Sequence, residues 1–293
     1  MNTQPHNNGF QQDVPQDALT CALCPHACSL GEGQVGLCKV RQNQNGIIRS
    51  NAYGRITSLA LDPIEKKPLA HFRPGSMILS VGSYGCNMRC PFCQNASIAQ
   101  ANERTTLWQA ITPQALVKQA LHYQAQGNIG IAYTYNEPLI NYEFLLDATR
   151  LAHERGLVNV LVSNGMINDE PLQALLPFID AANIDLKAFT QTFYTMAGGC
   201  LDAVKHTIET IAACPTCHLE VTTLVIPGEN DSVAEIEAIA QWLASLDPTI
   251  PYHISRFFPC YKMTDKRPTP VRHIYKLAEH ARIYLKHVST GNC

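Results

Sequence analysis

From residue 76 to its end, the chain alternates short apolar stretches with longer helix-like stretches, and this alternation constrains the fold more than any other feature. Six apolar stretches are predicted to be buried strands, at 77–81, 129–133, 158–162, 181–186, 218–225 and 252–257. Helices are predicted at 113–127, 139–155, 171–178, 201–213, 233–245 and 273–286. Strands that alternate with helices pair in parallel through right-handed crossovers. The sequence therefore predicts an α/β fold, an incomplete parallel (β/α)6 barrel of the TIM type.

The first 75 residues lack this alternation. Residues 1–18 are polar, have no apolar core of a secretory signal, and are predicted to be a disordered lead-in. Residues 19–75 are rich in glycine turns and contain four cysteines, with short strands predicted at 46–50 and 55–61 and no helix. We expect this segment to be a small Cys-rich appendage on a barrel that spans 76–293.

Charge and hydropathy exclude several classes of partner. The net charge of −2 gives no basic field for a nucleic acid. The longest apolar stretches, such as 157–162, are far shorter than the roughly 18 residues that cross a bilayer. We therefore expect a cytoplasmic protein with neither a nucleic acid nor a membrane as partner. Twelve cysteines in that compartment are kept reduced and serve as metal ligands, catalytic groups or small core residues.

Three cysteines lie close together after the first predicted strand: Cys86, Cys90 and Cys93, within GCNMRCPFCQN at 85–95. We call this segment the cysteine loop and these three residues the loop cysteines. Their C-x3-C-x2-C spacing suits three irons of a [4Fe–4S] cluster and leaves the fourth iron without a local cysteine. Such an iron is open to a substrate or cofactor, as in catalytic metal sites. The alternative is three free or buried thiols, which so dense a group of cysteines disfavours.

Polar sequences follow the other predicted strands, at the ends where a β/α barrel forms its active site. They are TYNEP at 134–138, SNG at 163–165, DLK at 185–187, IPGEND at 226–231 and FFP at 257–259. A single sequence of this kind is usually only a turn. Because all of them follow strands, we expect them to share one site with the cysteine loop.

The cysteine loop resembles that of the radical S-adenosylmethionine (radical SAM) superfamily, in which an aromatic residue, here Phe92, precedes the last cysteine. The resemblance implies that the amine and carboxylate of SAM bind the fourth iron. It implies an electron transfer that cleaves SAM reductively and a 5′-deoxyadenosyl radical that abstracts hydrogen from an unidentified substrate. The protein then binds, orients and shields the reactants. An external one-electron reductant of the flavodoxin or ferredoxin type is the implied partner.

The resemblance assigns a role to the loop after the second predicted strand. Glu137 lies where the superfamily has a Gly-Gly-Glu loop whose acidic residue accepts the SAM amine. Tyr135 and Asn136 stand in place of the two glycines. The acidic acceptor is therefore retained in a changed loop.

Asp185 and Lys187 match the Asp-x-Lys element of the enzymes that activate glycyl-radical enzymes. The match implies that Lys187 neutralises the SAM carboxylate and acts as a catalytic residue with the loop cysteines. Asn164 is a candidate to bond the ribose or methionine end of SAM. The alternatives are a helix-entry aspartate with a surface lysine, and a turn asparagine. The full set of expected cofactor-binding residues is Phe92, Asn136, Glu137, Asn164, Asp185 and Lys187.

A closer resemblance covers nearly the whole chain from residue 20. It is to the radical SAM member of the AmmeMemoRadiSam system, a group related to pyruvate formate-lyase activating enzyme. It rests on stretches that include CALCPHAC at 21–28, DPIEKKPL at 62–69 and HISRFFP at 253–259. Homologues of the Memo and AMMECR proteins are the implied partners. The alternative is an activase that takes hydrogen from a glycyl-radical enzyme, but such activases usually begin near their cysteine motif and here 85 residues precede Cys86.

Four cysteines precede the barrel, and we call Cys21, Cys24, Cys28 and Cys38 the N-terminal cysteines. Their C-x2-C-x3-C-x9-C spacing suits a structural zinc or an auxiliary [4Fe–4S] cluster. A segment this small and poor in helix needs such support to fold, and the alternative is reduced thiols that bind nothing. A further alternative function is a non-catalytic iron–sulfur electron carrier or zinc-stabilised scaffold. It leaves the charged residues at the strand ends unexplained.

Other candidate ligands have simpler interpretations. Cys214 and Cys217 have C-x2-C spacing without a second pair, so structural or incidental thiols are predicted. His71 and His253 are predicted to be packed or solvent-exposed side chains.

Overall fold

One large mixed sheet, flanked by helices, dominates the computed structural model, which describes residues 18–293. The predicted lead-in lies outside the described residues except for residue 18. The eight strands of the sheet are Ser58–Pro63, Met77–Gly82, Asn128–Tyr133, Val158–Ser163, Ala181–Asp185, His218–Val225, Tyr252–Arg256 and Val288–Gly291.

Each strand of this sheet pairs with the next one along the chain. From Met77–Gly82 to Val288–Gly291 every pair is parallel. The first strand, Ser58–Pro63, pairs antiparallel with Met77–Gly82. The first and last strands do not pair with each other, so the barrel is incomplete. The predicted α/β fold, an incomplete parallel barrel behind a Cys-rich segment, is confirmed.

Two strands extend the sheet beyond the six predicted units. Val288–Gly291 adds a seventh parallel strand, and because it is short and half-buried no apolar run marks it in the sequence. Ser58–Pro63 falls largely within the strand predicted at 55–61 and becomes an antiparallel edge, which is common on otherwise parallel sheets. The neighbouring Arg55–Ile56 pairs instead with Gln109–Ala110.

Helices connect the parallel strands, as predicted, with ends that shift by a few residues. The α-helices are Ala96–Ala99, Pro113–His122, Tyr142–Glu154, Asp169–Leu175, Gln191–Ala197, Leu201–Ala212, Val233–Leu246 and Val271–Ala281. Short 3-10 helices are Ile64–Lys66, Tyr123–Gln126, Pro138–Asn141 and Leu176–Phe178. Among residues 18–293, no helix combines the length and the apolar character needed to cross a bilayer.

The helix Pro113–His122 shows how local sequence sets these ends. The side chain of Thr112 accepts the Ala115 N–H at 3.1 Å and thereby caps the helix, with proline at its first position. After a 3-10 turn the chain reverses at Gly127, whose φ of 84° favours glycine. The last helix ends at Ala281 rather than at the predicted 286, because the chain turns there toward the seventh parallel strand.

Residues 64–72 close the barrel at the starts of its strands. Ile64 and Leu69 are fully buried there, in a cluster with Val158 and Ala181, the first residues of two strands. Burying each such side chain stabilises the fold by about 1.5–3 kcal/mol. Asn183 Nδ2 also donates to a carbonyl of this segment, that of Pro68, at 2.8 Å. We call residues 64–72 the barrel plug.

A buried charge, Glu220, fixes the barrel plug to the sheet. Its carboxylate accepts the N–H groups of Ala70 at 3.0 Å and His71 at 2.8 Å. Nε2 of His218 and Nε2 of His253 donate to it at 2.9 and 2.5 Å. Burial alone would raise the pKa of Glu220, but the hydrogen bonds from the two histidines and the His71 amide lower it to about 2. The charge is therefore fully paired inside the barrel.

The N-terminal segment forms two hairpins, Leu19–Thr20 with Ser29–Leu30 and Arg41–Gln44 with Ile47–Ser50. It packs on the barrel through a small core that contains Cys38, Val40, Ala52, Tyr84, Ala101 and Ile140. All twelve cysteines lie within the described residues, and every one of them is a free thiol there.

Candidate active site

The cysteine loop begins just beyond the strand Met77–Gly82, and all three loop cysteines line one cavity of about 720 Å³. Gly85 positions the loop, with a φ of 82°. A Cβ at this position would lie 2.6 Å from the carbonyl oxygen of Cys38, so the contact with the N-terminal segment excludes any side chain.

Two nitrogen donors lie next to the sulfur of Cys86. Cys86 Sγ accepts the Met88 N–H at 3.3 Å and lies 3.6 Å from Nδ2 of Asn164. Burial raises the pKa of Cys86 well above its usual value and raises that of Cys90 to about 11. Metal binding would displace these thiol protons, and N–H groups at sulfur stabilise the negative charge of an iron–sulfur cluster.

The loop cysteines fit a cluster better than a single ion. Within residues 18–293, no three His, Cys, Asp or Glu side chains converge as ligands of one metal ion. A [4Fe–4S] cluster takes each thiolate on a different iron, so its ligands surround a volume instead of a point. Next to burial, the largest influence on the pKa of Cys90 is the positive charge of Lys187, which lowers it. The three thiols, the donors and this cation suit a bound anionic cluster.

Glu137 lines the same cavity, and hydrogen bonds from neighbouring protein groups hold its carboxylate in place. Its Oε1 accepts the Leu139 N–H at 3.0 Å and the Ser163 hydroxyl at 2.8 Å, and its Oε2 accepts the Asn164 N–H at 2.8 Å. Burial raises its pKa to about 7 in spite of these bonds. A carboxylate has about four lone-pair sites, so one site remains on Oε2 for a further donor.

Tyr135 stands where the resembling motif has a glycine, and its backbone lies in the left-handed region. Its φ is 71°, in the left-handed region that costs a non-glycine residue roughly 1–2 kcal/mol. The Tyr135 hydroxyl donates to Asp62 at 2.6 Å, and Lys67 Nζ lies 4.7 Å from the ring centre. These contacts offset the strain and keep the loop of Glu137 in place without glycine.

The two asparagines predicted to bind cofactor hold loops together. Asn136 Oδ1 accepts the Ser83 N–H at 2.8 Å, and its Nδ2 donates to the carbonyls of Tyr84 and Gly85 at 3.1 Å. Asn164 Oδ1 accepts the Met166 N–H at 2.8 Å. Both asparagines also line the cavity, so they fix the cysteine loop where a ligand would contact it.

Asp185 and Lys187 form an ion pair on the cavity wall, with 2.9 Å between Oδ2 and Nζ. Burial is the largest single influence and would lower the pKa of Lys187, but the charges of Asp185 and Cys90 and the hydrogen bond to Asp185 together raise this pKa above its usual value. The lysine is thus a permanent cation beside the loop cysteines. Phe92 is buried and packs against Phe193, with ring centres 5.6 Å apart.

The remainder of the cavity wall is mostly polar. The wall includes Glu65, Lys66, Gln94, Asn95, Asn183, Thr222, His253, Ser255, Ser289, Thr290 and Asn292. Hydroxyl, amide and imidazole groups share it with apolar side chains such as Met88, Val162 and Leu224, so the cavity suits a ligand with both polar and apolar parts next to the loop cysteines.

Comparison with known proteins identifies the family. The sequence model described as the radical SAM superfamily matches residues 80–243, which is more than half of the chain. The chain belongs to the radical SAM superfamily. It is therefore a radical SAM enzyme, of a family that uses a [4Fe–4S] cluster, SAM and an external source of electrons.

One relative of this radical SAM enzyme matches over most of both chains, and another matches over about half of each. An uncharacterized protein of Methanocaldococcus jannaschii is 38% identical over 286 residues, which cover 97% of this chain and 84% of that protein. An isethionate sulfite-lyase activating enzyme of Nitratidesulfovibrio vulgaris is 27% identical over 175 residues, covering 57% of this chain and 54% of that enzyme.

Solved structures share the fold. Streptococcus suis SuiB bound to S-adenosylmethionine has a TM-score of 0.55 at 13% identity, covering 74% of this chain and 52% of SuiB. Escherichia coli QueE has a TM-score of 0.51 at 16% identity, covering 80% of this chain and 92% of QueE. At these identities the likeness concerns the fold alone.

Sequence reasoning missed residues that the structure places next to the predicted site. Asn87 links the cysteine loop to its surroundings: its Nδ2 donates to Met166 O at 2.7 Å and its Oδ1 accepts from Asn164 at 2.9 Å. Its position in the sequence between Cys86 and Cys90 could have identified it as a residue of the site. Glu220 is the one acidic residue of the apolar strand His218–Val225, which was also a signal. Nothing in the sequence pointed to Cys260, whose Sγ donates to Phe92 O at 3.2 Å.

Of the remaining candidates, His253 lines the cavity, whereas the pair Cys214 and Cys217 does not. Cys214 and Cys217 are outside the cavity, and Cys217 lines a separate one of about 400 Å³ near the strand starts. His253 is buried and paired with Glu220 at the cavity wall, and the ring centre of His71 lies 4.5 Å from that of His287.

Proposed function

We propose that the loop cysteines hold a [4Fe–4S] cluster and that SAM binds beside it, against Glu137 and the pair of Asp185 and Lys187. The observation that carries this proposal is that all six side chains line one cavity. When bound, the cluster and SAM supply reductive cleavage to a 5′-deoxyadenosyl radical, which abstracts a hydrogen atom from substrate. The cavity of about 720 Å³ leaves room for such a substrate next to the cluster.

The chain's own residues would bind and orient the cofactor. Lys187 carries a charge that complements the SAM carboxylate, and its bond to Asp185 fixes the ammonium group. The free lone-pair site on Glu137 Oε2 is available to the SAM amine. Asn164 and Asn136 hold the cysteine loop against these groups, and the buried Phe92 covers it from the side of Phe193. These contacts keep water away from a reactive site.

The substrate and the protein partners belong to the same proposal. We propose a small or peptidic substrate, which the resemblance to the AmmeMemoRadiSam group does not identify. That resemblance supports partners of the Memo and AMMECR type, and the radical SAM chemistry supports flavodoxin or ferredoxin as reductant. We also propose a second metal centre, zinc or iron–sulfur, on the N-terminal cysteines.

A second candidate function is activation of a glycyl-radical enzyme. The partial match to isethionate sulfite-lyase activating enzymes favours it. Formation of a glycyl radical on a partner enzyme, seen by electron paramagnetic resonance (EPR), would select this candidate. Turnover of a small molecule without that radical would select the first one.

The core of the proposal is tested by anaerobic reconstitution with iron and sulfide, followed by SAM and dithionite. The wild-type enzyme should form 5′-deoxyadenosine and Cys90→Ala should not, because an iron ligand is lost. Cys200→Ala is the matched control, since this half-buried cysteine lies outside the cavity. Wild-type 5′-deoxyadenosine formation by Cys90→Ala would refute the assignment of the loop cysteines.

A further inference from the structure

The N-terminal cysteines lie in one compact part of the chain, residues 21–38, which we call the knot. The Cys21 N–H donates to Cys28 O at 2.9 Å, which closes the first hairpin. The chain then passes Cys28 at Gly36, where a Cβ would lie 3.5 Å from Cys28 Sγ, before it reaches Cys38. Cys21, Cys24 and Cys38 are at most 9% exposed. Three of the four thiols are thus buried, and Cys28 is half-buried, in a segment that has little other core.

A buried cation at this knot, Arg41, has one donor without a partner. Arg41 is 8% exposed, and its backbone N–H donates to Cys38 Sγ at 3.3 Å. Its guanidinium bonds Glu143 Oε1 at 2.8 Å and Ile48 O at 3.1 Å, and it lies within bonding range of the Cys21 thiol. Its Nε–H is buried without any acceptor. A buried donor without an acceptor is destabilising, so an anionic group bound at the N-terminal cysteines would supply the charge and the acceptor that this donor lacks.

The arrangement favours an iron–sulfur cluster over zinc. Structural zinc needs four ligands on one tetrahedral point, at about 2.3 Å from each sulfur. In the described part of the chain no three such side chains converge in this way. The same is true of the loop cysteines, for which a cluster is proposed. A cluster also accepts N–H bonds at its sulfur atoms, which the two Arg41 donors would provide.

The knot touches the cysteine loop on both sides of Cys86. The Cys38 carbonyl packs against Gly85, where it excludes a Cβ. On the other side His26, which lies between Cys24 and Cys28 in the sequence, bonds Asn87 O through its Nε2 at 2.7 Å. Both contacted residues are neighbours of Cys86, at about 3.8 Å between consecutive Cα atoms. Short bonded paths therefore join the two sets of cysteines.

We propose that the N-terminal cysteines bind a second [4Fe–4S] cluster that delivers electrons to the cluster on the cysteine loop, an inference that rests on the proposed function. A flavodoxin or ferredoxin gives one electron to the second cluster. That cluster is reoxidised as the loop cluster is reduced by the same electron, and no bond or proton is exchanged. Electron tunnelling falls steeply with distance, so the contacts at Gly85 and Asn87 make this knot the entry point.

The test compares four reconstituted full-length proteins by iron, sulfide and zinc content and by EPR. The triple variant C86A/C90A/C93A leaves the knot intact, and the double variant C24A/C38A leaves the loop intact. C214A/C217A is the control, because it also removes two cysteines and they lie outside both sets. We expect about eight irons per chain in the wild type and control, and about four in each of the other two.

EPR after reduction separates the two centres. SAM should change the signal of the double variant, whose cluster has an open iron, and leave that of the triple variant unchanged. The double variant should also lose rapid reduction by flavodoxin while dithionite still reduces it. Circular dichroism checks folding, and the triple variant keeps the test valid if the double variant unfolds.

Three results would overturn the inference: a triple variant without iron, one zinc per chain in its place, or a double variant that flavodoxin reduces at the wild-type rate. Failure of the proposed function looks different. It would show as a double variant without a SAM-sensitive signal, with the four irons of the triple variant retained.

Discussion

Replacing Glu220 by glutamine tests how the barrel plug is held in place. The carboxylate accepts four hydrogen bonds, two on each oxygen: His71 N–H and His218 on Oε1, and Ala70 N–H and His253 on Oε2. Glutamine keeps one acceptor oxygen and puts an NH2 group where the other oxygen was. A histidine ring can offer an unprotonated nitrogen to this NH2, but a backbone amide cannot. One buried N–H of the barrel plug therefore loses its acceptor.

Two independent estimates of the loss in the free energy of unfolding agree. An unsatisfied buried donor costs about 1–3 kcal/mol. Independently, lowering the pKa of Glu220 from its ordinary 4.5 to about 2 corresponds to about 3 kcal/mol of stabilisation of the ionised form. We expect Glu220→Gln to lower the free energy of unfolding by about 3 kcal/mol, or the melting temperature by about 6–10 °C for a chain of this size.

Anaerobic thermal unfolding followed by circular dichroism measures this loss. The matched control is Glu237→Gln, because Glu237 also bonds a histidine, His280, at 2.8 Å but both side chains are about 30% exposed. Such a surface pair contributes at most about 1 kcal/mol. Equal melting temperatures of the two variants would refute the view that Glu220 anchors the barrel plug.

The pH dependence has a definite sign. The pKa of Glu220 is lower in the folded chain, at about 2, than its ordinary 4.5. Its contribution is therefore complete above about pH 4.5 and is lost as the pH falls toward 2. The stability difference between the wild type and Glu220→Gln should be constant from pH 5 upward and should shrink below it.

Three further predictions concern the site. Alanine at any one of the loop cysteines should abolish 5′-deoxyadenosine formation, and retained cleavage in one variant would exclude that residue as an iron ligand. Lys187→Met should bind SAM about ten- to hundredfold more weakly in an anaerobic titration with full iron content, since a bond to a charged group contributes about 1.5–3 kcal/mol. The exposed Lys276→Met is its control, and equal affinities would place SAM elsewhere. Gly85→Ala should lower the melting temperature and iron retention more than Gly33→Ala. Both glycines have positive φ, but only at Gly85 would the added Cβ meet another atom, the Cys38 carbonyl oxygen at 2.6 Å. Equal losses in the two variants would show that the contact at Gly85 adds no strain.

The fold could be predicted where the sequence carries a local signal. The strand His218–Val225 has the predicted bounds because a stretch rich in valine, leucine and threonine lies there between Pro215 and Pro227. Thr112 and Gly127 mark the two ends of their helical segment by capping chemistry. The strand Val288–Gly291 was missed, since its pairing with Tyr252–Arg256 depends on the tertiary fold and not on its own composition.

The sequence was enough to predict which residues of the candidate site would lie together, but not the hydrogen bonds between them. The loop cysteines, Glu137 and Lys187 line one cavity, as their places after strands imply. The internal bonds of Glu137 to Ser163 and Asn164 could not be predicted, because they join loops 26 and 27 residues apart. For the same reason no pattern in the sequence indicated the contact of His26 with Asn87, 61 residues away.

The N-terminal segment builds both ends of the barrel, and this explains why its sequence is unusual. At the strand starts its barrel plug holds the buried Glu220 and, through it, His253 on the cavity wall. At the strand ends its Cys38 carbonyl fits against Gly85 and fixes the cysteine loop. A segment with these two contacts needs a rigid shape, yet it has only short hairpins and a small core. The metal centre proposed on the N-terminal cysteines would cross-link such a segment, and this would connect the count of its cysteines to the geometry of the candidate active site.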